Sequence, residues 1–97
     1  MIKHIVCFKL KDRSEANKLK AKEVLMSMKG IVPMLRNIEA GVDFLQSERS
    51  YDIILQVELD DAEALEAYQA DPYHVGIVKK HMHQVVEASV AVDYVME

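Results

Sequence analysis

From Ile2 to Leu10 the apolar residues Ile2, Val6, Phe8 and Leu10 share one face at a period of two, and His4 stands among them. That period marks a strand half-buried against a core, so His4 is expected to point with the core side. The pattern then changes. Asp12 and Glu15 have the spacing of a capping box, and Ala21, Val24, Leu25 and Met28 recur at helical spacing until Gly30 offers a stop. Pro33 pushes Val32 into an extended conformation, after which Ile38, Ala40, Val42 and Phe44 alternate on one face of a second strand, with Gly41 a candidate bulge. The polar run QSERS predicts a turn into YDIILQVEL, where Tyr51, Ile53, Leu55, Val57 and Leu59 alternate with mostly polar residues. Strands two and three are therefore expected to pair as a hairpin.

Asp60 with Glu63 repeats the capping-box spacing, and Leu65 and Tyr68 lie one turn apart on a short second helix. Asp71-Pro72 ends that helix and suits the start of another, since Asp caps well and Pro is tolerated at the first helical position. His74, Val78, Met82 and Val85 follow at spacings of four, four and three. The closing run VEASVAVDYVM predicts a last strand with Val86, Ala88, Val90, Val92 and Tyr94 on one face. The order β-α-β-β-α-β is that of a ferredoxin-like α+β fold, an antiparallel four-stranded sheet with both helices on one face. The other face then carries Ile5, Cys7, Gly41, Leu45, Ile54, Ala91 and Val95 beside Gln56, Glu58 and Ser89. Such a face is too apolar for water, and a second copy laying its sheet against the first would cover it as a barrel-like homodimer.

Composition narrows the picture. A chain of 97 residues has the length of one domain, 1–97, and its 51% hydrophobic and 29% charged residues suit a folded core. A core this small gains from association with another copy. The formal charge of -4 removes the attraction to phosphate that nucleic acids and anionic membranes require, so neither is an expected partner. Cys7 is the only cysteine, which excludes an internal disulfide and fits a reducing compartment. The first ten residues are interrupted by Lys3, His4 and Lys9 and lack the continuous apolar run of a signal peptide; no span reaches transmembrane length. A cytoplasmic location is expected.

The stretch YQADPYHVG sets Tyr68 and His74 six residues apart across the Asp71-Pro72 break, in a chain with four histidines. Each polar residue also has an ordinary reading: His4 as a core imidazole satisfied by a backbone carbonyl, Tyr68 as a cap on the helix–sheet core, His74 as a first-turn polar residue. His81 and His83 point apart on a helix, and His74 to His81 is two turns, about 10.5 Å along the axis, so one ion does not bridge them and no metal is expected. These two histidines, near Lys79 and Lys80, read as an exposed helix end. The lysines at 18, 20, 22 and 29 read as solvated helix surface, and Met26, Met28, Met34 and Met82 as core fillers.

IKHIVCFKLKD at the start, IVP after the first helix, YQADPYHVG and the late VDY resemble the stress-responsive dimeric α/β-barrel (Dabb) domain family across essentially the whole chain. The resemblance implies a dimer of ferredoxin-like units. A plant member of that family closes a linear polyketide by aldol condensation without a cofactor, and the resemblance to it implies a site built from His4, Tyr68 and His74. His74 is then the candidate base, Tyr68 a hydrogen-bond donor to a carbonyl or enolate oxygen, and His4 an orienting group, with Gly76 leaving room beside them. The segment Ser14 to Lys29 lacks the aromatics that enclose the plant enzyme's substrate tail; Leu25 and Lys22 stand there instead, so the pocket has another shape and that substrate does not carry over. Two functional readings follow. One is a homodimeric protein that binds a small apolar or carbonyl-containing molecule between sheet and helices, lined by His4, Leu25, Tyr68 and His74. The other is a cofactor-independent cyclase, lyase or isomerase using His74, Tyr68 and His4.

Overall fold

A computed structural model describes all 97 residues. The chain runs β1 (Ile2–Leu10), α1 (Glu15–Met26), β2 (Asn37–Val42), β3 (Ile53–Leu59), α2 (Ala62–Ala70), a π-helical turn (His74–Lys79), α3 (Lys80–Val85) and β4 (Val86–Val95). The strands form one sheet in the order β2-β3-β1-β4, every neighbour antiparallel, the arrangement of a ferredoxin-like α+β fold. Ile53, Leu55, Val57 and Leu59 of β3 and Ile38 and Ala40 of β2 are buried with Ala21, Leu25, Tyr68, Val78 and Met82 from the helical layer, so the core is the space between helices and one sheet face. Met28 and Met82 are buried and Met26 and Met34 pack partly against the same cluster, as expected of flexible gap-fillers.

Local chemistry sets the helix boundaries one or two residues away from the predicted ones. Ser14, not Asp12, caps α1, its hydroxyl accepting from the Asn17 N–H at 3.3 Å, while Asp12 accepts from the Ser14 N–H. Asp61, not Asp60, caps α2 by accepting from the Ala64 N–H at 2.9 Å; Asp60 is held instead by a two-pronged contact with Arg36 at 2.8 and 2.9 Å. After α1 the chain turns at Gly30, whose φ of +79° lies where a side chain would be strained.

Other expectations fail. Gly41 is no bulge, because the β2–β3 register runs unbroken from Asn37 to Val42. Phe44 and Leu45 leave the sheet and lie exposed in the following loop. Lys18 is not solvated: only 3% exposed, it lies under that loop with its ammonium 3.1 Å from the Gln46 amide oxygen and 3.6 Å from Glu15. Beside it Asp52 is fully buried. Burial pushes its carboxyl upward, but the Leu10 N–H and the Arg13 guanidinium, at 2.9 Å each, outweigh that and hold it below the usual carboxylate range.

The largest correction concerns β4. Leu10 pairs with Val86 but Lys9 pairs with Ala88, so Glu87 is an extra residue and the register shifts there. One inserted residue reverses the facing of all that follow. Val86 stays on the helix side with Leu10, whereas Ala88, Val90, Val92 and Tyr94 lie opposite Lys9, Cys7, Ile5 and Lys3 on the outer face. Ser89, Ala91, Asp93 and Val95, three of them expected outside, are on the helix side opposite Phe8, Val6, His4 and Ile2.

Candidate functional site

Three elements converge between the open end of the sheet and the helical layer. β1 brings His4 in on the core face, where it is 8% exposed, and α2 buries Tyr68 on the turn facing it. The third element begins at Asp71, which ends α2 in an extended conformation and then accepts, through Oδ2, from the N–H groups of Tyr73 and His74 at 3.0 and 3.1 Å. That capping holds the next helix in place from its first turn. Its opening stretch, His74–Lys79, is wound as a π-helix. In an α-helix the fifth residue onward is turned about 140° away, but an i to i+5 winding returns it to the same side. The π-turn therefore brings Lys79 to the face of His74.

The aromatic rings form a stack. Tyr68 lies nearly parallel to the His74 imidazole with centroids 4.3 Å apart, and His4 meets Tyr68 edge-on at 5.9 Å. The His74 Nδ1 is 3.1 Å from the Tyr68 main-chain oxygen. A carbonyl only accepts, so Nδ1 carries the proton in this contact and Nε2 keeps its lone pair. Burial pushes the His74 pKa down, and nearby Lys79 and His4 add to this; the Tyr68 carbonyl and Asp71 pull the other way without prevailing. His74 is thus neutral at pH 7. His4 points its own Nδ1 at Asp93 Oδ1, 2.5 Å away, which fixes the ring orientation and leaves Nε2 as the other face of the imidazole.

Tyr68 is the unusual member. It is 1% exposed, and no protein group lies within hydrogen-bonding reach of its hydroxyl. Burial, followed by the charge of Asp71, raises its pKa strongly, so the phenol keeps its proton as a donor. A buried hydroxyl without a partner costs about 1–3 kcal/mol.

His4, Leu25, Tyr68 and His74 all line one cavity of about 340 Å³, closed below by Val6 and Phe8 of the sheet. This is near the lower end of the range for small-molecule sites, about 300–1,000 Å³. Lys22 does not reach the cavity, and Gly76 is exposed on the far side of its helix with open space around it. Nor are the late histidines both at an exposed end. His83 borders the cavity mouth, and His81 is half-buried with its Nε2 enclosed and unpartnered. No three His, Cys, Asp or Glu side chains are grouped to hold a metal ion. Asp93 was not anticipated by sequence reasoning; the VDY run pointed at it, but only the Glu87 bulge turns it inward to His4.

Comparison with known proteins agrees with this geometry at the level of family. Residues 2–96 match the family model of the stress responsive A/B barrel domain. Olivetolic acid cyclase of Cannabis sativa is 30% identical over 78 residues, covering 77% of each chain. An uncharacterised protein of Streptomyces coelicolor is 34% identical over 77 residues, covering 76% of this chain and 79% of its own. Among solved structures, a dimeric ferredoxin-like protein of unknown function from Bacteroides fragilis superposes with a TM-score of 0.83 at 30% identity, covering 98% of this chain and 95% of that one.

Proposed function

The chain belongs to the stress responsive A/B barrel family, and from that premise and the cavity's geometry we propose that it binds a small carbonyl-containing molecule between sheet and helices, as a homodimer. The observation that carries the proposal is Tyr68, which lines a cavity of suitable size and whose buried hydroxyl, a protonated donor, has no partner in the protein. A ligand oxygen accepting from it would recover the cost of leaving it unpaired. The apolar remainder of the wall, from Val6, Phe8, Leu25 and Leu55, suits a carbon skeleton. The dimeric state of the Bacteroides fragilis protein supports the homodimer.

A second reading, proton transfer on the bound molecule, is favoured by the contact of His74 Nδ1 with the Tyr68 carbonyl, which leaves Nε2 as a neutral base at pH 7. Nε2 would take a proton from the carbon beside the ligand carbonyl, the Tyr68 hydroxyl would donate to the enolate oxygen that forms, and the imidazolium would return the proton to carbon. His4, held by Asp93, would orient the oxygen end. The similarity to olivetolic acid cyclase supports a cyclase-like reaction at this cavity.

Nuclear magnetic resonance with a panel of small ketones in deuterated water tests both readings. Binding should shift His4, Tyr68 and His74 resonances together and spare the outer sheet face. Catalysis should incorporate deuterium beside the ketone faster than solvent does, and His74→Gln should abolish that excess. Shifts without exchange leave a binding protein; shifts confined to the outer face reject the cavity.

A further inference from the structure

The charge lining the cavity is of one sign. The chain has 16 acidic residues against 12 basic ones, yet no carboxylate lines this cavity, whose ionisable groups are Lys79, Tyr68 and the imidazoles of His4, His74 and His83. Asp93, the nearest acid to His4, is occupied by that imidazole. Lys79 makes no ion pair with any protein carboxylate, since the chain's ion pairs involve His4, Arg13, Lys18 and Arg36. It stands at the mouth one helical turn before His83, placed there by the π-turn, while Tyr68, whose buried hydroxyl has no partner, is among the residues of the wall.

Resting on the binding function above, we propose that the cavity takes a small keto acid, its carboxylate at the mouth between Lys79 and His83 and its ketone oxygen directed at Tyr68. A neutral ketone would leave Lys79 without a counter-charge, whereas a carboxylate meets a cation at the mouth and a donor in the wall, and its two ends fix a single orientation. Lys80, the next residue, carries the same charge but does not line the cavity, and it provides an internal control.

The test measures dissociation constants at pH 8, by the same resonances, for 4-oxopentanoate and 4-acetylbenzoate against their primary amides. Each acid should bind about three- to fivefold tighter than its amide, the scale of an exposed ion pair. Lys79→Gln should erase that preference and Lys80→Gln should keep it. Equal binding of acids and amides at the cavity overturns the keto-acid assignment and leaves the binding function standing. A preference lost equally in both lysine variants shows only a diffuse basic surface and also overturns it. If neither acids nor amides shift His74 or Tyr68 up to about 10 mM, the assignment fails together with the binding function on which it rests.

Discussion

One side chain, Tyr68, is arranged against the folded state's own stability. Its hydroxyl is buried without a partner, so Tyr68→Phe should leave the unliganded protein as stable as before or raise its melting temperature by several degrees, roughly 4–8 °C per kcal/mol for a domain of this size. The same substitution should weaken ketone binding about tenfold, the cost of one lost hydrogen bond. Thermal melts and resonance titrations check the two halves separately, and a destabilised variant would mean that the hydroxyl has a structural partner. His74 makes a related prediction with pH. Its pKa is lowered in the folded chain by burial, with Lys79 and His4 adding to the effect, so the unfolded chain binds the proton more tightly. That contribution is fully present above the unfolded value of about 6.5 and is lost as pH falls through the lower folded value. Chemical denaturation at fixed protomer concentration should show wild type losing stability between pH 7 and pH 5 more steeply than His74→Gln. Asp52 acts in the same direction in a more acidic window, since its lowered carboxyl stabilises above about pH 3.9 and loses that role as pH falls further.

Elements supply the positions those side chains need, and two short devices do most of it. The first is Asp71, which both ends the helix bearing Tyr68 and caps the one bearing His74. Asp71→Ala should cost about 1 kcal/mol in denaturant unfolding and, more tellingly, speed amide exchange over the His74–Lys79 turn before it speeds exchange in the sheet. Equal acceleration everywhere would show that the cap supports only global stability. The second is the Glu87 bulge, and it explains where sequence reading stops. Strand and helix identities were legible because period two and period 3.6 differ sharply in runs such as IILQVEL and the segment from Ala21 to Met28. The grouping of His4, Tyr68, Leu25 and His74 came from the family resemblance; the pattern by itself put His4 on the core face of its strand and Tyr68 and His74 on either side of the Asp71-Pro72 break. The facing of β4 was not legible, since VEASVAVDYV offers apolar residues in either parity, and the more apolar parity points outward. Asp93 was missed for that reason. Lys18 was missed because its burial depends on a loop 28 residues away folding over it. Cap residues were misplaced by one or two positions because neighbouring polar residues compete and Arg36 captures Asp60.

At the scale of the whole molecule, the outward parity of β4 changes which surface needs covering. Val90 and Val92 are 50% and 60% exposed, and they lie opposite Cys7 and Ile5 on β1, which in turn pair with Ile54 and Gln56 on β3. The result, on the face away from the helices, is an apolar row Val90–Cys7–Ile54 across the three strands with Val92 and Ile5 beside it and Gln56 at its β3 end. No helix of the protein is long and apolar enough to cross a membrane, so the row is not part of a helical span. A second sheet laid against it would remove that surface from water at about 25 cal/mol per Å². The bulge gives this proposal a sharp discriminator, because adjacent residues of one strand should behave oppositely. Val92→Asp would bury an unpaired charge against the facing sheet and should shift sedimentation toward the 11.1 kDa monomer, as should Ile5→Asp and Ile54→Asp. Ala91 is on the other face, opposite Val6, and is exposed there, so Ala91→Asp should shift the cavity resonances while leaving the protein folded and dimeric. If Val92→Asp and Ile54→Asp remained dimeric at micromolar concentration, the sheet-to-sheet dimer would be wrong; if Ala91→Asp stayed folded and became monomeric, the facing assigned to β4 would be wrong instead.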